Sequence, residues 1–115
     1  MNEAYPGDAT GDVFRRMQES AFDFAIPHDV DFYALFPTEE AADVVAHQYL
    51  EDHKAGAPLL EIETRPSDQG GMELKLVINM FVTYENVTRI EAELTRRAAG
   101  AGGHSDGWGV MQPTP

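Results

Sequence analysis

The sequence contains no cysteine, which excludes disulfide scaffolds, zinc fingers and thiol chemistry. Basic residues are also scarce: eight lysines and arginines stand against 20 aspartates and glutamates, and the formal net charge is −12. No hydrophobic run approaches the length of a membrane span. The first residues, MNEAYP, hold neither a basic region nor an apolar run, so no signal peptide is visible. We therefore expect a cytoplasmic protein with no membrane partner.

The negative charge is concentrated in the first half of the chain. Residues 1–54 hold 12 acids and three bases, whereas residues 55–115 hold eight acids and five bases. Such a chain repels a phosphate backbone and attracts basic proteins, although acidic charge also serves solubility alone. We therefore expect no direct nucleic-acid binding and favour a protein partner.

Length and hydrophobic content indicate one globular domain. The 115 residues are enough to bury a core, and 43% of them are hydrophobic. We predict a flexible arm over residues 1–9, a single domain over residues 10–112 and a short tail over residues 113–115. Hydrophobic periodicity, proline and glycine positions and helix-capping residues divide the domain into seven elements. These are a helix over residues 10–22, a strand over 30–36, a helix over 38–55, strands over 59–65 and 72–82, a helix over 83–99 and a strand over 108–112.

After the first helix, this order is β-α-β-β-α-β, which predicts a ferredoxin-like α/β sandwich with an antiparallel four-stranded sheet, an α+β fold. The first and third strands are the most apolar and should be central, with both later helices on one face. The other face should then carry the partly apolar set Tyr33, Leu35, Val77 and Phe81. We expect the N-terminal helix to cover it through Val13, Phe14 and Met17; a protein interface and an RNA platform are the alternatives.

No residue pattern supports catalysis, a metal or a cofactor. Asp43, His47 and Glu51 recur at i, i+4 and i+8, which suits a metal site but is equally typical of a solvated polar stripe, and we predict the stripe. His28, His53 and His104 are scattered and expected at the surface. Gly100–Gly103 does not have the spacing of a dinucleotide fingerprint. We therefore predict a protein that is not an enzyme.

The single tryptophan lies in the unusual segment Asp106-Gly107-Trp108-Gly109. Glycines on both sides allow a backbone, helix or partner to approach closely. The alternative, which we favour, is that Trp108 fills one end of the core, because tryptophan is usually largely buried.

Three segments together resemble the regulator of ribonuclease activity B family over about residues 10–111. They are Asp12–Met17, then Pro27-His28-Asp29 followed by Val30, Asp31 and Phe32, and finally Asp106, Gly107, Trp108 and Gly109. The resemblance implies a ferredoxin-like α/β sandwich without enzymatic activity. It also implies binding to the non-catalytic scaffold part of ribonuclease E and inhibition of its RNA cleavage. Well-known members carry an acidic C-terminal tail, whereas Gln112-Pro113-Thr114-Pro115 has no charged side chain.

The charge distribution supplies a candidate partner-binding surface. The solvent-facing side of the helix over residues 38–55 carries several acidic residues, and this helix lies in the more negative half of the chain. We expect this set to bind ribonuclease E or a related basic scaffold: Glu39, Glu40, Asp43, Glu51 and Asp52. The alternative function is a small-molecule-binding α/β sandwich, with a ligand between subunits or beneath the Gly100–Gly103 turn.

Overall fold

Alternating apolar residues form a strand in the middle of the sheet. In the computed structural model, which describes residues 9–110, this strand is β1 (His28–Phe36), and its even-numbered side chains are all buried. Branched and aromatic residues with a period of two favour this half-buried, extended conformation. The opposite side of the strand is more exposed, so β1 separates a core from a second face.

Residues 9–110 form three helices and four strands. In chain order they are α1 (Ala9–Glu19), β1 (His28–Phe36), α2 (Glu39–Lys54), β2 (Glu61–Pro66), β3 (Met72–Met80), α3 (Tyr84–Gly100) and β4 (His104–Val110). The strands lie in the order β2-β3-β1-β4, and each neighbouring pair is antiparallel. This confirms the predicted α+β fold with the first and third strands in the centre.

Threonine caps fix the start of both long helices. The Thr38 hydroxyl accepts a hydrogen bond from the Ala41 amide at 3.1 Å, and Thr83 does the same for the Asn86 amide at 3.0 Å. Each bond satisfies an amide that has no partner within the helix. The capped helices then place their apolar stripes on the same sheet face, through Ala42, Val45, Tyr49, Val87, Leu94 and Ala98.

The N-terminal helix does not lie where the sequence led us to expect it. Phe14 of α1 is fully buried, with ring centroids 6.0 Å from Phe24, 6.2 Å from Tyr84 and 5.7 Å from Trp108. These contacts place α1 beside α3, in the same layer as the other helices. The prediction that α1 covers the second sheet face is therefore wrong. The aromatic residues that contact Phe14 come from three other chain segments, so helical spacing alone could not reveal them.

Several element boundaries also differ from the predictions. α1 ends at Glu19 rather than residue 22, because Ala21 takes a positive φ of 58°. β2 begins at Glu61 and β3 ends at Met80, each two residues inside the predicted range. β4 begins at His104, four residues before the predicted start, and contains a register shift opposite Tyr33 and Ala34. Residues 1–8 and 111–115 lie outside the described residues. Nearly all of the predicted arm, the end of the predicted last strand and the predicted tail fall in these two ranges.

Candidate protein-binding surfaces

The exposed side of α2 carries a run of polar residues at helical spacing. Glu40, His47 and Glu51 are exposed and Asp43 is half-buried, and together they form what we name the α2 stripe. Glu39 adds a further exposed carboxylate in the first turn. The only ion pair recorded on the described stripe joins Glu51 Oε1 to Lys54 Nζ at 3.2 Å, and both side chains are largely exposed. The stripe therefore presents mostly uncompensated negative charge to solvent.

Asp52, predicted to belong to this acidic surface, lies in a different environment. Its Oδ2 accepts a hydrogen bond from Arg97 Nη2 of α3 at 2.6 Å. Arg97 also lies 3.3 Å from Glu93 Oε1, and its guanidinium carbon is 4.4 Å from the centre of the Tyr49 ring. The Arg97 side chain is only 15% exposed. Asp52 thus joins α2 to α3, and its charge is already matched within the chain.

Burial has a clear electrostatic effect at Tyr49. Desolvation raises the pKa of Tyr49 well above its ordinary value of 10, so its hydroxyl stays protonated at alkaline pH at which an exposed tyrosine ionises. Within residues 9–110, neither the Tyr49 hydroxyl nor Arg97 Nη1 has a hydrogen-bond partner, although both are buried. The contacts that these two residues do make, the cation–π contact and the Asp52 ion pair, hold α2 against α3.

The face of the sheet opposite the helices remains uncovered by any described helix. The strand register aligns its side chains in three rows: Glu61–Val77–Asp31–Gly109, Glu63–Lys75–Tyr33–Gly107 and Arg65–Glu73–Leu35–His104. We name this surface the open face. It includes the predicted set Tyr33, Leu35 and Val77, with Phe81 half-exposed just after β3. Of these, Val77 is buried but lies outside the core cluster.

Charged side chains on the open face pair mainly on its β2 and β3 side. Arg65 Nη2 lies 2.7 Å from Glu73 Oε1, and Lys75 Nζ lies 3.4 Å from Glu61 Oε2. On β1, the Tyr33 hydroxyl donates to Asp31 Oδ2 at 3.2 Å. Burial and the neighbouring Asp31 carboxylate both raise the pKa of Tyr33, so it remains a neutral phenol. The open face is therefore a polar and net acidic surface, not an apolar one.

Trp108 and its two glycines lie on opposite sides of β4. Trp108 pairs with Phe32, and its indole packs on the core beside Phe14 while remaining partly exposed. Gly107 and Gly109 pair with Tyr33 and Asp31 and lie on the open face. The favoured prediction that Trp108 fills one end of the core agrees with this packing. The glycines do not make room for the indole, because they lie on the other face.

The described part of the chain was also expected to lack a metal site and a membrane span, and it has a depression to be considered as a small-molecule site. No group of three or more histidine or acidic residues within residues 9–110 could hold a metal ion. No described helix is long and apolar enough to cross a membrane. The depression beside the Gly100–Gly103 turn, about 310 Å³, has Leu35, Pro37, Gly102 and His104 among its lining residues. Its polar side chains are exposed, and nothing in its chemistry selects a ligand.

One histidine departs from its expected position. His28 is 7% exposed and therefore not at the surface, unlike His53 and His104. Its Nε2 is 2.8 Å from the Asp23 carbonyl, and its ring centroid is 4.4 Å from that of Phe22. The histidine thus anchors the segment between α1 and β1 and does not form part of a reactive site.

A known protein family matches most of the chain. The family model described as regulator of ribonuclease activity B matches residues 7–110. The chain belongs to this family. No curated protein matches the chain at a significant level. Family membership supports a role in regulating ribonuclease activity, and it confirms the resemblance that the sequence motifs indicated.

The structure brings the motif residues of this regulator family together. Val30, Asp31 and Phe32 lie on β1, directly opposite Val110, Gly109 and Trp108 of β4. Asp106 is the extra residue at the register shift between the Ser105 and Gly107 pairings. The motif therefore has two sides, with Phe32 and Trp108 in the core and Asp31, Gly107 and Gly109 on the open face. Sequence reasoning missed this division, although the two-residue period of a strand already implies it.

Proposed function

We propose that this protein is a non-enzymatic regulator that binds ribonuclease E, or a related basic scaffold, and inhibits its cleavage of RNA. Membership of the regulator of ribonuclease activity B family is the observation that carries the proposal. The net charge of −12 supports a basic protein segment as the contact and disfavours RNA itself.

The α2 stripe, with Glu39, is our proposed contact surface. Its carboxylates are solvated and mostly free of internal ion pairs, so a basic segment can bind them without breaking contacts of the fold. Asp52 contributes less, because its carboxylate already holds Arg97. Electrostatic attraction of this kind accelerates association and selects the partner. The uncharged tail at residues 112–115 adds nothing to such an attraction.

The test measures binding of the full chain to a ribonuclease E scaffold fragment by surface plasmon resonance. Reversing two charges, Glu40→Lys with Asp43→Lys, should lower the affinity about tenfold or more, mainly through slower association. Raising the salt from about 0.1 M to about 1 M shortens the screening length from about 10 to 3 Å and should also weaken binding.

A matched control reverses two exposed carboxylates away from α2, Glu19→Lys with Glu85→Lys. This variant has the same net charge as the α2 variant but leaves the α2 stripe intact, and we therefore expect it to retain most of the affinity. No binding of the wild-type chain at low salt would remove ribonuclease E as the partner. Equal losses in both double variants would show that overall charge, and not the α2 stripe, governs binding.

A further inference from the structure

The strand β4 carries a glycine that the fold itself does not require. Gly107 has a φ of +106°, in the left-handed region, so the register shift accounts for it. Gly109 has no such φ, and a Cβ built on it meets no atom within 4 Å. Glycine weakens a strand, and where no bulge or bend requires it, it often marks a site at which a ligand or another chain approaches closely. The missing side chain at Gly109 therefore points to something outside the described residues.

The two glycines leave a shallow space on the open face. Gly107 lies directly opposite Tyr33, and Gly109 lies directly opposite Asp31. Side chains at such opposed positions normally stand against one another, about 5 Å apart. Glycine has no side chain to fill that volume, none of the described residues beyond the chain neighbours comes within 4 Å of a Cβ built at either glycine, and Asp31 and Tyr33 are both partly exposed. We name this space the β4 trough.

Negative charge exceeds positive charge in the two rows of the open face that contain the trough, where Asp31, Glu61 and Glu63 stand against Lys75. The partner recorded for Asp31 is the Tyr33 hydroxyl, and its row neighbours Val77 and Gly109 are uncharged. Of the two described cations of the open face, Arg65 pairs with Glu73, and Lys75 pairs with Glu61 while its charge also interacts with Asp31. Because acids outnumber bases here, the trough can accept a further cation from another molecule.

We propose that the β4 trough binds an arginine side chain of a protein partner. The guanidinium would stack on the Tyr33 ring and pair with the Asp31 carboxylate, while the partner's backbone lies over Gly107 and Gly109. Arginine suits this arrangement better than lysine, because its planar group both stacks on an aromatic ring and donates two parallel hydrogen bonds. The proposal does not depend on whether that partner is a ribonuclease.

The experiment titrates the isotopically labelled full chain with an eight-residue peptide of alternating glycine and arginine, followed by NMR. Saturable shifts should concentrate at the backbone amides of Asp31, Tyr33, Gly107 and Gly109. The matched peptide with citrulline in place of arginine has nearly the same shape without the charge, and it should not bind. Saturable shifts confined to α2, or no saturable shift at all, would overturn the proposal.

Variants separate the trough from general attraction by an acidic protein. Asp31→Asn and Gly109→Thr should each weaken peptide binding about tenfold, the first by removing the ion pair and the second by filling the trough. Glu40→Gln changes the net charge as Asp31→Asn does, but on α2, and should change affinity less than about twofold. Gly109→Thr should keep the melting midpoint, since its Cβ meets nothing and threonine favours strands.

Three results would contradict the assignment. Wild-type affinity of Gly109→Thr would show that the trough is not occupied. Equal effects of Asp31→Asn and Glu40→Gln would show that net charge alone attracts the peptide. A dimer of the free chain that Gly109→Thr dissociates, measured by sedimentation, would assign the trough to a second copy of this chain.

Discussion

The two sides of β1 show how one strand serves two purposes. Its even-numbered residues, such as Phe32, meet the helices and are fully buried. Its odd-numbered residues, such as Asp31 and Tyr33, lie on the open face among charged neighbours. On the helix side, apolar burial stabilises the fold. On the open face, side chains are free to meet another molecule, so substitutions one residue apart should have very different effects.

The largest difference should separate Phe32 from its neighbour Tyr33. Phe32→Ala removes a fully buried ring and should lower the free energy of unfolding by about 3–5 kcal/mol. Tyr33→Ala removes a partly exposed ring and should lower the free energy of unfolding by about 1 kcal/mol. Denaturation in urea measures both values. Equal losses would mean that the Tyr33 ring is as fully covered as the Phe32 ring, which would contradict an open face.

Trp108 should give a smaller loss than Phe32, because it is only partly buried. Trp108→Ala should destabilise the protein by about 2–3 kcal/mol, below the usual cost of removing a fully buried aromatic ring. The same urea titration measures this loss, and Gly109→Thr on the opposite face is its control. An unchanged midpoint for Trp108→Ala would show that the indole does not stabilise the core, and would suggest that it contacts a partner instead.

Arg97 tests the contact between the two long helices. Arg97→Met keeps much of the side-chain volume but removes the ion pairs to Asp52 and Glu93 and the stacking on Tyr49. We expect a loss of about 1–2 kcal/mol, moderated because both carboxylates are 44% exposed and can be solvated. Lys54→Met, which removes a largely exposed pair, should change stability by less than about 0.5 kcal/mol.

The smallest effect, and one that depends on pH, concerns the Tyr49 hydroxyl. Because burial raises the pKa of Tyr49 in the folded state, the contribution of Tyr49 to stability should be constant below the ordinary value of 10 and fall above it, since the unfolded chain ionises first. Tyr49→Phe should change stability little at pH 7 and should reduce the loss between pH 10 and the denaturing limit. An identical alkaline slope in the variant would contradict the assignment of that slope to Tyr49.

Sequence pattern predicted the sheet well because its signals are local. The β-α-β-β-α-β order of the elements predicted the strand order, and the apolar character of β1 and β3 and the charged residues of β2 supported it. The predicted position of the N-terminal helix was wrong. An amphipathic stripe shows that a helix buries one side, but it does not show which surface the helix packs on. Phe14 fixes the position of α1 by packing against Phe24, Tyr84 and Trp108, and these contacts exist only after folding.

The candidate surfaces show the same limit. Helical spacing predicted the exposed α2 stripe, but it could not show that Asp52 pairs with Arg97, 45 positions away. The early start of β4 was missed because glycine, serine and aspartate favour turns, whereas pairing with β1 holds them in a strand. The open trough beside Tyr33 depends on that pairing, so no local pattern could have revealed it.

The most direct test of the proposed function is RNA cleavage by ribonuclease E in the presence of increasing amounts of the chain. Two forms of the nuclease are compared, one with its non-catalytic scaffold and one reduced to the catalytic part. We expect saturable inhibition of the form that carries the scaffold, shifted to about tenfold higher amounts or more by Glu40→Lys with Asp43→Lys, and no inhibition of the catalytic part alone. Unchanged cleavage of RNA by both forms at saturating amounts of the wild-type chain would contradict it.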